Sequence, residues 1–366
     1  MMRKSGRRWM MASVMMMVVF MLAACQSNEA KSVEAVDSDA TVEEIIDRAK
    51  EEGEVHSVGM PDTWANWVET WDDLRKEYGI EHTDTDMSSA EELAKFEAEQ
   101  EDATADIGDV GIAFGPIAKE RHLTLPYKTS YWEDIPDWAK DDEGHWVVGY
   151  TGTISFLTDL HNVPDAPTSW EDLKKGSYRV SIGDALTANQ AHFAILAAAY
   201  AFGGDETNIE PGVAFFEQLA KEGRLGTSDP SVANLEKGEI DVAIVWDFNG
   251  LGYRHQIDEA RFDVTIPEEA SVMSGYATII NAYSKRPYAA MLAREYILSD
   301  QGQENLARGY ARPIRDNVVL SDEVKDLLLP DEMYENARPV EDQAAWEETT
   351  KQLPTLWQER VLIHAN

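Results

Sequence analysis

The sequence predicts an α/β fold with mostly parallel sheets. After about residue 40, short runs typical of strands alternate with longer runs that have helical spacing. The run Ile240 to Trp246 is apolar except at Asp241, as expected of a strand that is buried on both faces. The sequence contains no internal repeat or heptad array that would favour another architecture.

The N-terminal residues have the three parts of an export signal. Four of the first eight residues are Lys or Arg, and an apolar run follows from Trp9 to Ala24. That run is shorter than the roughly 20 apolar residues that a membrane-spanning helix needs. It ends in Leu22-Ala23-Ala24-Cys25, where small residues precede a cysteine, as a cleavage site requires. We therefore expect residues 1–24 to be a signal peptide.

Leu22-Ala23-Ala24-Cys25 resembles the lipobox of bacterial lipoproteins, in which the cysteine is diacylated and becomes the first mature residue. Cys25 is the one cysteine of the sequence, so an internal disulfide is impossible. Residues 25–38 are small and polar and predict a flexible tether between the lipid and the folded body. The alternative is an ordinary secretory signal with an incidental cysteine. The first interpretation places the protein on the outer side of a cell membrane, held by its lipid.

The charge of the sequence is strongly negative, with a formal net charge of -36 over 366 residues. A chain of this charge is repelled by nucleic acid and by anionic membrane surfaces, so we expect no nucleic-acid partner. The charge has two interpretations, adaptation of an exported surface to salty or alkaline surroundings or a preference for cationic ligands.

Strand and helix signals in the first part of the chain are local and specific. Thr41 and Glu44 have the spacing of a capping box and predict a helix that begins there. Gly53 to Gly59 predicts a strand. The apolar residues that follow are spaced by three and four positions, which predicts one buried helix face. These residues are Trp64, Trp67, Trp71, Leu74 and Tyr78.

Later signals continue the alternation. A capping-box pattern begins a helix at Ser88, and the runs 106–110, 146–156, 179–182 and 240–246 predict strands. A helix is expected from about Thr187 to Gly203, and the chain after Pro287 is expected to be mainly helical.

Several segments together resemble the extracellular solute-binding proteins of ABC importers, in the group that binds iron(III), polyamines, thiamine and aminophosphonates. The order and spacing of these segments across the chain carry the resemblance. The segments are residues 88–96 (SSAEELAKF), 105–111 (ADIGDVG), 167–173 (PTSWEDL), 238–243 (GEIDVA), 297–303 (ILSDQGQ) and 309–313 (GYARP).

The resemblance implies a type II periplasmic-binding-protein fold, with two α/β lobes joined by crossover strands near 149–156 and 273–280. Lobe 1 would contain residues 39–152 and 275–366, and lobe 2 residues 153–274. It also implies a monomer that binds a small-molecule solute between the lobes and works with ABC permease and ATPase subunits, without a cofactor.

In open α/β sheets, ligands bind beyond the carboxyl ends of strands, so the cleft residues are expected there and on the crossovers. These candidates are Thr63, Trp64, Asp109, Tyr150, Thr187, Asn189, Trp246, Asp247, Asn249 and Tyr276.

The segment Trp246-Asp247-Phe248-Asn249 bears most directly on the ligand. In the ferric-ion binders that it resembles, two adjacent tyrosines lie at this point, where this chain has Phe248 and Asn249. An iron site would therefore need tyrosines from elsewhere, such as Tyr150, Tyr253 or Tyr276. Trp246 beside Asp247 instead suits an amine or quaternary nitrogen, through a cation–π contact and a charge-assisted hydrogen bond. The alternative is that Trp246 is a core residue and Asp247 caps the next turn.

Two interpretations also exist for Thr187 and Gln190. They have capping-box spacing, which is sufficient structural reason for both. A helix N-terminus that faces the cleft can also bind a phosphonate, phosphate or carboxylate through its free N–H groups.

Motifs of enzymes are missing from the sequence, which contains no Gly-x-Ser-x-Gly, His-Glu-x-x-His, P-loop or Cys-x-x-Cys, and its eight histidines lack metal-ligand spacing. We therefore predict a binding protein for a polyamine-like or aminophosphonate-like solute, with no catalytic residue and no metal site. Asp109 and Asp247 would be the amine partners, with Trp64, Trp246 and Tyr276 as aromatic walls. The rival hypotheses are a ferric-ion binder, a membrane-anchored envelope hydrolase and a sensor subunit.

Overall fold

The computed structural model of the protein describes residues 36–37 and 40–365. Cys25, the expected signal peptide and most of the expected tether lie outside these residues. Contacts divide the chain into residues 1–37 and 38–366, and all elements below belong to the second unit. Among the described residues, no helix has the length and apolar character required to cross a membrane.

The strands are short, except for two long ones. In chain order they are β1 (Glu54–Val58), β2 (Glu81–Thr85), β3 (Ile107–Gly111), β4 (Trp146–Asp159), β5 (Val180–Ser181), β6 (Val242–Trp246), β7 (Phe262–Thr265), β8 (Ser271–Ile280), β9 (Arg312–Pro313) and β10 (Ala337–Arg338).

Helices separate most of the strands. They are α1 (Val42–Glu52), α2 (Trp67–Tyr78), α3 (Ser89–Glu99), α4 (Phe114–Glu120), α5 (Trp170–Lys175), α6 (Asn189–Ala201), α7 (Glu210–Lys221), α8 (Val232–Glu236), α9 (Asp247–Ile257), α10 (Pro287–Leu298), α11 (Asp300–Arg308), α12 (Asp322–Lys325) and α13 (Gln343–Trp357).

The long strands β4 and β8 connect two sheets. In the first sheet the strand order is β2-β1-β3-β8-β4, and in the second β4 pairs with β6 and β7 while β6 also pairs with β5. Residues 146–153 of β4 pair with β8, and residues 154–159 pair with strands of the second sheet. The chain therefore leaves the first sheet along β4 and returns to it along β8, which gives the expected two-lobed α/β fold.

The sheets are mixed, so the expectation of mostly parallel sheets was wrong in this respect. β1 pairs in parallel with β2 and β3, and β5 pairs in parallel with β6. β8 is antiparallel to β3 and β4, and β4 is antiparallel to β6 and β7. The reason is that each crossover strand runs against its neighbours in one sheet. In the first sheet β8 runs opposite to β3 and β4, and in the second sheet β4 runs opposite to β6 and β7.

Two hydrophobic clusters correspond to the two lobes. One combines residues of β3, β4 and β8 with Trp132, Ile135 and Leu298. The other combines Leu157 at the far end of β4 with residues of β6, α9 and β7. Since β4 contributes to both clusters, the core of each lobe is built on the strand that joins them.

Local sequence signals explain where several helices begin. Both predicted capping boxes are present, Thr41 with Glu44 at α1 and Ser88 with Glu91 at α3. The helix expected to carry Trp64 begins only at Trp67, because Ala65 and Asn66 have left-handed backbone conformations with φ of 46° and 58°. Trp64 therefore lies in the loop between β1 and α2, outside the helix.

Candidate functional site

Five side chains from both lobes and both crossovers form one cluster. Asp109 extends from β3, Tyr150 from β4, Tyr276 from β8, Phe248 from the first turn of α9, and Trp64 from the loop after β1. We call these residues the aromatic–acid cluster. Four of them, all except Phe248, were expected in the cleft from the sequence.

Hydrogen bonds order the cluster around the Asp109 carboxyl group. The indole Nε1 of Trp64 donates to the Tyr150 hydroxyl at 2.6 Å, and that hydroxyl donates to Asp109 Oδ2 at 2.7 Å. Asp109 is 3% exposed, and its Oδ1 has no hydrogen-bond partner among the described residues. A buried acceptor without a partner costs free energy, so this oxygen is the atom of the cluster most in need of a donor or cation.

The four rings pack directly on one another. The rings of Tyr150 and Tyr276 stack at a centroid distance of 5.5 Å and an interplanar angle of 10°. Trp64 meets Tyr276 at 5.6 Å and Phe248 at 5.2 Å in edge-to-face contacts, and Tyr150 meets Phe248 at 5.9 Å. Trp64 and Phe248 come from opposite lobes, so their contact lies at the point where the lobes meet.

Two glycines let the lobes approach this closely. A Cβ placed on Gly152 of β4 would lie 2.5 Å from Phe248 Cε1, so the Phe248 ring occupies the space that a side chain would fill. A Cβ on Gly111 at the end of β3 would lie 3.1 Å from Nδ2 of Asn189, the first residue of α6. Asn189 therefore contacts the end of a lobe 1 strand from lobe 2.

Contacts with α11 and Gly309 fix the strained backbone that follows Trp64. The left-handed residues Ala65 and Asn66 follow it directly, and Asn66 Nδ2 donates to the carbonyl of Asn305 at 2.9 Å. Gly309 packs so closely that a Cβ there would lie 2.4 Å from the carbonyl carbon of Ala65. Such strain is tolerated only where the surroundings fix the conformation, and it is frequent at ligand sites.

The electrostatics of the cluster disfavour negative charge. Burial raises the pKa of Asp109 to about 8, with a further increase from the nearby Asp84 carboxyl and an opposing effect from the Tyr150 hydrogen bond. Burial, and then the proximity of Asp109, raises the pKa of Glu92 well above its usual range. Burial also raises the pKa of Asp84. The neighbouring charges that raise these three pKa values are all carboxylates, so a cation would stabilise the ionised forms.

A groove of about 590 Å³ adjoins the cluster between the lobes. Trp64 and Phe248 form part of its wall, together with Thr63 and Asn249. Asp62 also lines it, and Thr63 is exposed. The groove thus gives two further sequence-predicted residues a place beside the aromatic–acid cluster.

Gln190 connects the remaining lobe 2 candidates. Its Oε1 accepts hydrogen bonds from the backbone N–H of Trp246 at 2.9 Å and from Asn249 Nδ2 at 3.2 Å. The indole of Trp246 is 1% exposed and packs on Phe193 of α6, so Trp246 contributes to the lobe 2 core.

Asp247 lies in a separate polar contact. Its Oδ1 accepts from the backbone N–H of Thr153 at 2.8 Å and its Oδ2 from the Tyr334 hydroxyl at 2.6 Å. Its side chain is fully buried, and it begins α9. These contacts agree with the alternative in which Asp247 has a structural role, and they leave Asp109 as the carboxyl group of the aromatic–acid cluster.

The capping box expected at Thr187 was wrong. α6 begins at Asn189, and its N-cap residue Ala188 provides no side-chain cap. The exposed Thr187 donates its hydroxyl hydrogen to Asp184 Oδ2 at 2.9 Å. Gln190 accepts from the Trp246 segment, so tertiary partners replace the local pair. The Thr187 hydroxyl is therefore engaged within its own turn rather than in the aromatic–acid cluster.

One group of potential metal ligands was missed by the sequence analysis. Ligand atoms of Asp141, Glu143 and His145 lie within 4.8 Å of one another. Lys119 Nζ lies 2.7 Å from Asp141 Oδ1 and 2.9 Å from Glu143 Oε2, so a lysine already supplies the positive charge. Because Lys119 already pairs with both carboxylates, we do not assign a metal centre to this group.

Comparison with known protein families shows the family to which the chain belongs. The model of the bacterial extracellular solute-binding protein family matches residues 102–337, more than half of the chain. The chain belongs to this family. The match includes β3, β4, β6 and β8, and therefore every residue of the aromatic–acid cluster except Trp64.

Solved structures with the same fold bind different solutes. Three of them have TM-scores of 0.67 and cover 84–85% of this chain and 98–99% of their own. They are the periplasmic binding protein AfuA of Actinobacillus pleuropneumoniae with fructose-6-phosphate (18% identical), the spermidine/putrescine-binding protein PotD of Streptococcus pneumoniae (15%) and iron-bound HitA of Pseudomonas aeruginosa (15%). At these identities the likeness concerns the fold alone.

The curated relatives that the chain matches are sulfate-binding proteins. The chain is 26% identical over 197 residues to the sulfate-binding protein of Escherichia coli and 25% identical over 171 residues to that of Salmonella typhimurium. These matches cover 52% and 45% of this chain, and the chain spans about half the length of the curated relatives it matches, 56% and 52%.

Replacing Asp109 by Asn is expected to change how stability depends on pH. The pKa of Asp109 is about 8 in the folded protein and near 3.8 otherwise, so between these values the folded state holds a proton that the unfolded state has lost. The free energy of unfolding should therefore fall as pH rises from about 4 to 8, by at most about 1.4 kcal/mol per pH unit from this group. Asp109→Asn removes that contribution.

Urea unfolding of both proteins between pH 5 and 9 checks this expectation. The stability of Asp109→Asn relative to the natural protein should increase with pH and level off above about pH 8. Asp165→Asn, at an exposed position, is the control and should show a constant difference. A constant difference for Asp109→Asn as well would contradict the assigned protonation state.

Proposed function

We propose that the protein is the solute-binding subunit of an ABC importer and captures an ammonium-bearing solute between its lobes. Asp109 Oδ1, buried and without a hydrogen-bond partner among the described residues, is the observation that carries the proposal. The solute would then pass to permease and ATPase subunits. Family membership supports solute binding over the hydrolase hypothesis, since the matched family consists of binding proteins.

An ammonium group suits both parts of the cluster. Its charge compensates the Asp109 carboxylate, and a charge-assisted hydrogen bond to Oδ1 is stronger than one between neutral groups. The rings of Trp64 and Phe248, which line the groove, can contribute cation–π contacts worth about 0.5–2 kcal/mol, whereas Tyr150 and Tyr276 stack face to face on each other. Because Trp64 and Phe248 contact each other across the lobes, entry requires the lobes to separate. Closing then excludes water, which strengthens the charge interaction.

The cluster is less suitable for the other solutes. Ferric ion needs phenolate ligands, whereas burial raises the pKa of Tyr150 and Tyr276 above the usual value. The Tyr150 hydroxyl is also engaged with Asp109 and Trp64. The aromatic–acid cluster contains no Lys or Arg side chain that would compensate the charge of sulfate or a sugar phosphate, and such an anion would favour the protonated form of Asp109.

The proposal includes the lipid anchor at Cys25. A diacylated cysteine followed by a polar tether would keep the protein on the outer side of the membrane near its permease, since two acyl chains give stable anchoring.

A ligand panel tests the proposed function. The full chain, purified in detergent, is heated with putrescine, spermidine, choline, 2-aminoethylphosphonate, thiamine, sulfate, fructose 6-phosphate or ferric citrate. We expect stabilisation by at least one ammonium compound, about 2.7 kcal/mol at 100 times its dissociation constant. Asp109→Asn should lower the affinity at least tenfold, because it removes the charge that faces the ammonium group. Asp165→Asn is the matched control and should leave the affinity unchanged.

The panel also identifies the rival functions. Stabilisation by sulfate or fructose 6-phosphate without any response to amines would overturn the ammonium proposal and favour an anion binder. A coloured complex with ferric citrate would favour iron. A response to an amine that persists in Asp109→Asn would keep the importer function but place the ammonium group elsewhere.

Replacing Cys25 by Ser tests the anchor. In cells supplied with labelled palmitate, the natural protein should carry label and sediment with membranes, and Cys25→Ser should do neither, because serine lacks the thiol that is acylated. Ser27→Ala, in the same segment, is the control and should behave as the natural protein. Equal labelling of Cys25→Ser and the natural protein would exclude the anchor at this position.

A further inference from the structure

We propose that Trp346, in the C-terminal helix α13, is a positioning residue for the cleft. Its ring packs on Phe193 of α6, which does not belong to the aromatic–acid cluster. It holds α6, and through α6 it fixes the segment Trp246–Asn249, which carries Phe248. The predicted effect on solute affinity rests on the proposed function, whereas the predicted effect on the segment itself is independent of it.

Three rings form a continuous row from α13 to the end of β6. Trp346 is 1% exposed, and its ring lies 5.4 Å from that of Phe193 at an interplanar angle of 41°. On its other side Phe193 lies 5.4 Å from the ring of Trp246, at 51°. Since protein interiors are close-packed, a cavity at Trp346 would allow Phe193, and then Trp246, to shift.

Polar contacts link the same helix to the same segment. Gln190 lies one helical turn before Phe193 on α6, so both side chains project from one face. Its Oε1 accepts from the backbone N–H of Trp246 and from Asn249 Nδ2. A movement of α6 would therefore disturb the hydrogen bonds at both ends of the segment as well as the ring contact.

The segment has little freedom to adapt to such a movement. Phe248 occupies the space above Gly152, and the same glycine's missing Cβ would lie 3.4 Å from Trp246 Cε3. Trp246 and Phe248 thus both pack against the crossover strand β4. A shift of α6 would change how Phe248 meets Trp64 and Tyr150 in the cluster.

A second tryptophan on α13 provides a matched control. Trp357 is 3% exposed, and its ring packs at 5.6 Å on Phe216 of α7. Among the described residues, Phe216 has no ring contact with the Trp246 segment. Both tryptophans pack α13 on helices of lobe 2, although residues 275–366 were expected in lobe 1. Of the two rings, that of Trp346 contacts α6 directly. The match to the family ends at residue 337, before α13 begins, so the matched residues do not include Trp346.

Hydrogen exchange tests the proposal without any ligand. In the full chain, purified in detergent, amide exchange of residues 246–252 is measured for the natural protein, Trp346→Leu, Trp357→Leu and Trp346→Phe. We expect Trp346→Leu to accelerate exchange of this segment at least tenfold, because the Trp246 amide loses its fixed acceptor. Trp357→Leu should lower the melting temperature comparably and leave this segment at the natural rate. Trp346→Phe retains a ring against Phe193 and should stay within about threefold.

Unchanged exchange of residues 246–252 in Trp346→Leu, or equal acceleration in Trp357→Leu, would overturn the proposal. Should Trp346→Leu fail to fold, Trp346→Met retains more side-chain volume and takes its place. Choline and putrescine are then titrated: Trp346→Leu should weaken whichever binds at least tenfold, and Trp357→Leu less than twofold. Equal weakening by both variants also counts against a positioning role. If the natural protein binds neither amine, another ammonium compound of the panel that stabilises it is titrated instead. If no ammonium compound binds, the proposed function is contradicted, and the exchange data still decide the role of Trp346.

Discussion

The hydrogen bond between the Tyr150 hydroxyl and Asp109 is the contact on which the site depends. It joins a crossover strand to the end of a lobe 1 strand and satisfies one oxygen of a carboxyl group that is 3% exposed. The other oxygen has no partner among the described residues, and burial raises the pKa of the carboxyl group to about 8. A buried carboxylate is unfavourable until a cation accompanies it, so Asp109 is largely protonated in the free protein at neutral pH, and a bound cation would favour its ionised form.

The rest of the architecture places this carboxyl group where the lobes meet. β4 belongs to both lobes, and Tyr150 lies on its lobe 1 half while Gly152 receives Phe248 from lobe 2. Any separation of the lobes therefore changes the contact between Trp64 and Phe248 close to Asp109. Under the proposed function, charge compensation and lobe closure would be coupled, because a cation at Asp109 would favour the state in which the rings surround it.

Much of the fold could be predicted because its signals are local. The capping boxes at Thr41 and Ser88 depend on residues three positions apart, and the crossover strands carry long β-rich runs. The cluster was only partly predictable. Asp247 follows a strand like Asp109 does, but its partner Tyr334 is 87 positions away in the sequence, and no local pattern reveals that contact. Phe248 enters the cluster because Gly152 leaves room for it. Trp64 lies outside α2 because Ala65 and Asn66 adopt left-handed conformations, which their residue types do not predict.

Titration calorimetry tests the central claim, that Asp109 becomes ionised when it meets a cation. Choline or putrescine, whichever binds, is titrated at pH 7 in phosphate and in Tris buffer, whose ionisation enthalpies differ. If Asp109 is largely protonated in the free protein and charged in the complex, binding releases up to one proton, and the measured enthalpy differs between the buffers. The difference should disappear in Asp109→Asn. Tight binding with the same enthalpy in both buffers would contradict the account.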